Sequence, residues 1–375
     1  MQPDAHLGFE AGDEDDCFVM YGLSYSLFTG KLEAYFKNKG LPYRFVEMSK
    51  DLYRKTSIAT GIVQLPCVQT PAGDWLTDTT AIMKHFEAEA CGPPIRPEDP
   101  AVAFFSLLFE DLFDEWYWRP ALYYRWAFDE DAKLLGSQLA RTMFRELPLP
   151  QSLLRRFMVF RQRAVYLKKD GVTRETAPVI EALYLDTLRV LDGIFAERPF
   201  LFGDRPCEAD YGLFGPFFRH FFCDPTAGWL MREHAPHLAH WVTRLWSMRP
   251  SDFGGRRKIA GVPKDLGFFF EMIANDYFPY LQANDQAVAA GQTTVRYRGQ
   301  GVDWAIPVAP YRTECFNELK RFYATLDPEA TRRVAELLHP SAIDGLRRST
   351  IAVEKRADKH GRIGRLGRPA QLFDG

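Results

Sequence analysis

Between Cys17 and Gly40 the chain changes its hydrophobic period once. Phe18 to Tyr21 is an apolar run of strand length, and Gly22-Leu-Ser-Tyr-Ser26 is a polar break. Phe28, Leu32, Tyr35 and Phe36 then recur at steps of three and four. That spacing predicts an amphipathic helix, and Gly40 stands where a left-handed helix stop is wanted. Ser24, Tyr25 and Ser26 therefore fall at a helix N-terminus, where free N–H groups and the dipole favour a bound anion such as a thiolate.

The pattern continues with a strand over 43–48, a polar, irregular helix over 49–60, and a strand pair at 67–70 and 74–77 turned by Pro71-Ala-Gly-Asp74. Residues 87–100, rich in Pro and Gly, read as a linker. Beyond it the period is helical: 101–128, which Pro120 should kink or split, then 131–146, 152–169, 174–196 and 236–248. Past 250 the pattern predicts a helix over 265–290, a hairpin over 293–308 around Gly299-Gln-Gly301, helices over 312–325 and 328–339, and a polar tail over 341–375.

Composition narrows the function. A chain of 375 residues has room for two domains and an appendage. A net charge of −2 argues against an electrostatic nucleic-acid binder, although eight Lys/Arg face two acids between Arg347 and Arg368, a run read as a solvated tail. The acidic first sixteen residues contain no apolar leader core, and no apolar run reaches spanning length. The six cysteines are scattered without C-x-x-C or zinc spacing, so they read as reduced thiols. The expectation is a soluble cytoplasmic protein with no membrane contact and no metal.

The stretch from strand to Asn38-Lys-Gly-Leu-Pro-Tyr43 resembles the start of the thioredoxin-like domain of the glutathione transferase superfamily. Further on, Leu65-Pro66, Leu76-Thr-Asp-Thr-Thr-Ala-Ile82, and Gly203-Asp204 with Ala209-Asp210 match the family's segments in order. Cys207 replaces the usual Ser or Thr at the cap. The resemblance covers about 17–250. It implies an α/β thioredoxin-like domain (17–90), an all-helical domain (100–250), an acidic arm (1–16), and a C-terminal extension (251–375), α-rich with a β-hairpin. The extension resembles that of a larger bacterial subgroup.

The resemblance also implies glutathione as co-substrate and a homodimer. Ser26 falls where Ser-using classes place the residue that donates to glutathione sulfur, with Ser24, Tyr21 and Tyr25 as alternatives. The family's proline is cis, and Leu65 before it would bond the cysteinyl backbone. Thr79 would receive the γ-glutamyl carboxylate and Asp78 its ammonium, chemistry that a helix start and a carboxylate supply in any case. A hydrophobic electrophile, aromatic ones included, would lie against the first long helix of the second domain, where Asp111, Glu115, Trp118, Tyr123 and Arg125 are the candidate lining. Conjugation, ether cleavage and isomerisation all remain open, as does a non-enzymatic scaffold.

Overall fold

The computed structural model describes residues 7–8, 17–62, 64–144 and 147–353. The first unit runs β1 (Leu7–Gly8), β2 (Phe18–Gly22), α1 (Leu27–Lys39), β3 (Tyr43–Glu47), α2 (Lys50–Thr60), β4 (Cys67–Gln69), β5 (Trp75–Thr77) and α3 (Thr79–Ala88). Its sheet order is β1-β3-β2-β4-β5, with β3 parallel to β2 and the other pairs antiparallel. This β-α-β then β-β-α order is the thioredoxin-like arrangement. Leu7 and Gly8, within the expected acidic arm, pair with Arg44 and Tyr43 at the sheet edge.

Gly40 closes α1 in the left-handed conformation at φ 73°, its N–H reaching back to Lys37. Met20, Leu32, Phe36, Val68 and Phe86 fill the space between sheet and helices.

The helical unit comprises α4 (Pro100–Glu115), α5 (Trp118–Ala127), α6 (Asp129–Met143), α7 (Gln151–Arg161), α8 (Ala177–Glu197), α9 (Glu208–Arg219), α10 (Pro225–His234) and α11 (Pro236–Ser247). The predicted 101–128 helix is split at Trp116 and Tyr117. Pro120 sits in the first turn of α5, where its missing N–H costs no helical bond. α7 passes through a π turn at Gln162–Leu167.

At the start of α9 the thiol of Cys207 is not the effective cap. Asp210 accepts from Cys207 N at 3.0 Å and from Leu201 N at 2.9 Å. Burial pushes the Asp210 carboxyl up to about 6, against those two donors. At Gly212 α9 crosses α4 closely: a Cβ there would stand 2.7 Å from Glu110 Cα.

Past Phe253 the chain returns to this core. α12 (Gly267–Met272), a π turn (Ile273–Tyr277) and α13 (Phe278–Ala289) form one rod. The ladder changes step there, with Phe278 N–H bonding Ile273 C=O, just before Pro279, which has no N–H to offer. The hairpin β6 (Thr294–Gly299) and β7 (Val302–Pro307) turns on Gln300 and Gly301 at φ 51° and 76°, the positive pair that a two-residue hairpin requires. Then follow α14 (Pro310–Ala324), α15 (Pro328–Leu337) and α16 (Pro340–Arg347). The last of these corrects the expected polar tail: Ala342, Ile343 and Leu346 are buried. Residues 354–375, with most of the basic run, lie outside the described residues.

This extension shares a core with the helical unit. Every residue of α4 from Ala101 to Glu115 is buried. Phe104 meets Phe322 and Tyr323 of α14, and Phe105 and Phe109 meet Phe270 of α12, at centroid distances of 5.4–5.9 Å. Such aromatic pairs add about 0.5–1.5 kcal/mol each beyond area burial. Arg198 grips Asp265 bidentately at 2.5 and 2.8 Å, and Lys84 pairs with Glu318.

Candidate functional site: a roofed cavity at the N-terminus of α1

A cavity of about 330 Å³ lies between the β2–α1 loop, α5, the π turn after α7 and the segment joining β7 to α14. Ser26 is the N-cap of α1. Its backbone is extended (φ −86°, ψ 135°), its C=O takes the Gly30 N–H at 3.0 Å, and its hydroxyl makes no capping bond. An N-cap serine normally spends its hydroxyl on the helix; here the Ser26 side chain lies on the cavity wall instead.

The other loop hydroxyls are placed differently. Tyr25 also lines the cavity, but its phenol shares a 2.7 Å hydrogen bond with Thr142 of α6, and burial pushes its pKa well above the usual phenol range. Ser24 is exposed, its N–H directed to the Glu47 carboxylate at 3.2 Å. Tyr21 packs on Trp75 at 5.4 Å, on the sheet and off the cavity.

Arg125 fixes this loop from α5. It donates to Tyr25 C=O at 2.7 Å, holds Asp224 through Nε at 2.7 Å and Nη2 at 3.0 Å, and reaches Arg219 C=O. All of these groups are acceptors, so a planar fork can satisfy them together. Burial, then the Arg125 charge, hold His220 well below its usual range. The imidazole is therefore neutral, with Nδ1 placed to donate to Ala121 C=O at 3.1 Å.

On the opposite wall the Leu65–Pro66 peptide is cis. Leu65 lines the cavity, and Pro66 is buried off it. Next to them the Gln64 amide oxygen lies shielded on the wall, with no hydrogen-bond partner among the described residues. Thr79, first residue of α3, lines the cavity too.

Asp78 does not line the cavity. It is 1% exposed and held at φ 71°, a conformation that costs a non-glycine residue about 1–3 kcal/mol. Its Oδ1 caps α3 by accepting from Thr80 N (3.1 Å) and Ala81 N (3.3 Å). Its Oδ2 accepts from the Tyr311 hydroxyl at 2.9 Å.

Tyr311 belongs to a roof that the sequence reading missed. Residues 306–312, from the end of β7 into α14, close the cavity above Ser26 and Thr79. Arg312 bonds Glu115 at 2.9 Å and the Tyr280 hydroxyl at 2.8 Å, pinning the roof to α4 and α13. Of the five candidates for the electrophile wall, Glu115, Trp118 and Arg125 line the cavity.

Asp111 and Tyr123 do not. The Asp111 carboxylate takes the Tyr277 hydroxyl at 2.6 Å inside the α4–extension core, and Tyr123 donates to Glu181. Both lie on faces of their helices turned from the cavity, which the 116–117 break separates. Gln162, Tyr166 and Lys169 were also missed; the π turn rotates them onto the wall.

Two family models match the chain in order: the glutathione S-transferase N-terminal domain over residues 20–94 and its C-terminal domain over 174–248. The chain belongs to the glutathione transferase superfamily. A search of curated proteins finds no match. Among solved structures this chain is similar to the beta-etherase LigF from Sphingobium sp. strain SYK-6, at 17% identity over 63% of this chain and 98% of that one, with a TM-score of 0.45. It is also similar to a glutathione S-transferase from Rhodospirillum rubrum F11, at 17% identity over 66% and 96%, TM-score 0.43. A third, from Xanthobacter autotrophicus Py2, shares 20% identity over 65% and 97%, TM-score 0.39. In each case about a third of this chain has no counterpart in the structure matched.

Proposed function

We propose that the protein is a glutathione-dependent transferase that directs the glutathione thiolate onto an apolar electrophile held under the extension. The observation that carries this reading is the Ser26 hydroxyl at the N-terminus of α1, which caps no helix N–H, on the same cavity as Leu65 and Thr79. Bound glutathione would supply a sulfur nucleophile. Ser26 would donate to that sulfur while the α1 dipole favours its negative charge. Leu65 would offer its backbone polar groups to the cysteinyl residue, and the Thr79 hydroxyl and the α3 N-terminus suit a carboxylate. The orphaned Gln64 amide oxygen gives the ligand a further polar partner. Trp118, Leu122, Trp126 and Leu139 supply an apolar stretch of wall, which suits a hydrophobic electrophile.

Burial pushes the Cys67 thiol up to about 12, and no cysteine stands in the β2–α1 loop. The chemistry proposed here is therefore nucleophilic attack by glutathione itself. Immobilised glutathione is the first test: the protein is expected to be retained and to elute with free glutathione.

The second reading, a scaffold that keeps the fold without the reaction, is favoured by one observation: Tyr311 already occupies Asp78 Oδ2. The two readings separate in calorimetry. On the transferase reading Tyr311→Phe frees that oxygen for the glutathione ammonium, and the Kd is expected to fall severalfold relative to wild type. Absence of binding heat in both proteins would favour the scaffold.

A further inference from the structure

Six of the nine large hydrophobic residues that stand exposed among the described residues lie in one stretch: Leu134, Leu147, Leu149, Leu153, Phe157 and Phe160. Leu153, Phe157 and Phe160, on α7, are 54%, 54% and 71% exposed. With exposed Ala164 they recur at i, i+4, i+7 and i+11, so they form one apolar stripe on the solvent side, while Leu154 and Met158 on the other side are buried. A stripe of this kind does nothing for the fold.

Its surroundings are basic. Residues 147–169 contain six Lys/Arg and no Asp or Glu. A shallow groove beside Phe160 is walled by Lys133, Arg155, Arg156 and Arg163, with Asp129, which pairs with Arg163, as its one acid.

We propose that this face of α7 docks the protein on an anionic lipid surface, with Leu153, Phe157 and Phe160 entering the headgroup boundary and the basic groove taking lipid phosphates. An amphipathic helix with Leu and Phe on one side and Lys or Arg flanking it lies in the interface plane rather than spanning the bilayer. Basic side chains beside it gain from the negative surface potential. No helix among the described residues is long and apolar enough to cross a membrane, so contact would be peripheral. This departs from the absence of membrane contact expected from the sequence, because neither the apolar spacing nor the charge run signals that the stripe faces outward.

The same rod carries Gln162 and Tyr166 onto the cavity wall. Docking would hold the cavity about one helix diameter, roughly 10–12 Å, from the lipid, a short path for an apolar compound dissolved there. The docking itself does not depend on the glutathione reading.

The test is co-sedimentation of the full-length protein with vesicles of phosphatidylcholine alone or with 30% phosphatidylglycerol (about a third anionic lipid, enough to set a negative surface potential). Binding to the anionic vesicles is expected, weakening as salt rises, with at least tenfold less binding to the neutral ones. Phe157→Ser with Phe160→Ser should lower anionic-vesicle binding at least tenfold while leaving the circular dichroism spectrum unchanged. The basic run within 354–375 is the same in both proteins, so any binding it contributes survives in the variant. Equal binding to both vesicle types, no binding, or full binding by the double variant would each overturn the proposal. Light scattering without lipid supplies the remaining outcome: a wild-type dimer that the double variant reduces to monomer would assign the stripe to a second copy of the chain and overturn lipid docking.

Discussion

Lys31→Met is expected to lower the free energy of unfolding by about 3–5 kcal/mol, the usual loss when one member of a buried ionic cluster is removed. Lys31 lies on α1 with no exposed surface, its ammonium 2.5 Å from both Glu110 and Asp114 of α4, and Glu110 also accepts from Thr80 at the start of α3. Burial works against the Lys31 charge, but Asp114 and Glu110 outweigh it and hold the amine above its usual range. Both carboxylates in turn pair with Lys31. Burial already raises Asp114 well above the ordinary carboxylate range, with Lys31 pulling it back down.

In Lys31→Met the carboxylates lose their counter-charge and must be buried as anions or take up protons. A carboxyl whose folded-state pKa lies above its unfolded value binds more protons when folded, so the destabilisation it causes is present at high pH and fades as pH falls towards the unfolded value. The penalty of the variant should therefore be largest near pH 8 and shrink on acidification towards pH 5. Adding Glu110→Gln and Asp114→Asn should recover most of the loss, since an uncharged cluster leaves no unpaired charge. Urea unfolding of the three proteins across that range is the measurement. A single-variant loss below 1 kcal/mol at pH 8 would mean that water reaches the cluster.

The cluster matters beyond stability because the N-termini of both α1 and α3 line the cavity. Their angle to α4 is set at Lys31, Glu110 and Thr80, about one turn below Ser26 and beside Thr79. A sequence reader sees Lys31 as an ordinary helical lysine. Its burial follows only from α9 and α4 closing over α1, through Gly30 against Arg219 and Gly212 against Glu110.

That contrast holds through the whole molecule. Local chemistry was readable wherever it is local: the Gly40 stop, the Gln300-Gly301 turn, the Pro120 break, and the serine at the head of α1. The hidden features each join residues far apart in the chain. Tyr311 meets Asp78 across 233 positions and Arg312 meets Glu115 across 197, and no spacing rule connects such pairs. The π turn at 162–167 was hidden for another reason: a single extra residue per turn leaves a period close to that of an α-helix yet moves Tyr166 and Lys169 round to the cavity. Asp78 shows a local signal whose role divided. Asp before Thr-Thr marks a helix cap correctly, and one carboxylate oxygen does cap α3, while the other is claimed by a residue the motif does not contain.

Ser26→Ala is expected to slow the glutathione-dependent reaction about ten- to a hundredfold near neutral pH, because a hydrogen bond to a charged group contributes about 1.5–3 kcal/mol and each 1.36 kcal/mol is tenfold in rate. Glutathione affinity should change little, since Ser26 would touch only the sulfur. The lost donor leaves the bound thiol less acidic, towards the free value of about 8.5, so the defect should narrow as pH rises and the thiol ionises unaided. Helix stability should barely move, because the Ser26 hydroxyl makes no capping bond to lose; an equal loss of stability and rate would instead mark the residue as structural.

Tyr25→Phe is the informative companion. Its phenol is engaged by Thr142, so that change should leave the thiol acidity where it is. Ser24→Ala, on an exposed side chain whose neighbouring N–H serves Glu47, should do likewise. Titration of thiolate absorbance in the glutathione complex reads all three variants directly. A raised thiol pKa in Ser26→Ala alone assigns the donor, whereas the same rise in Tyr25→Phe would require the Tyr25–Thr142 bond to open when glutathione binds and would move the role to Tyr25.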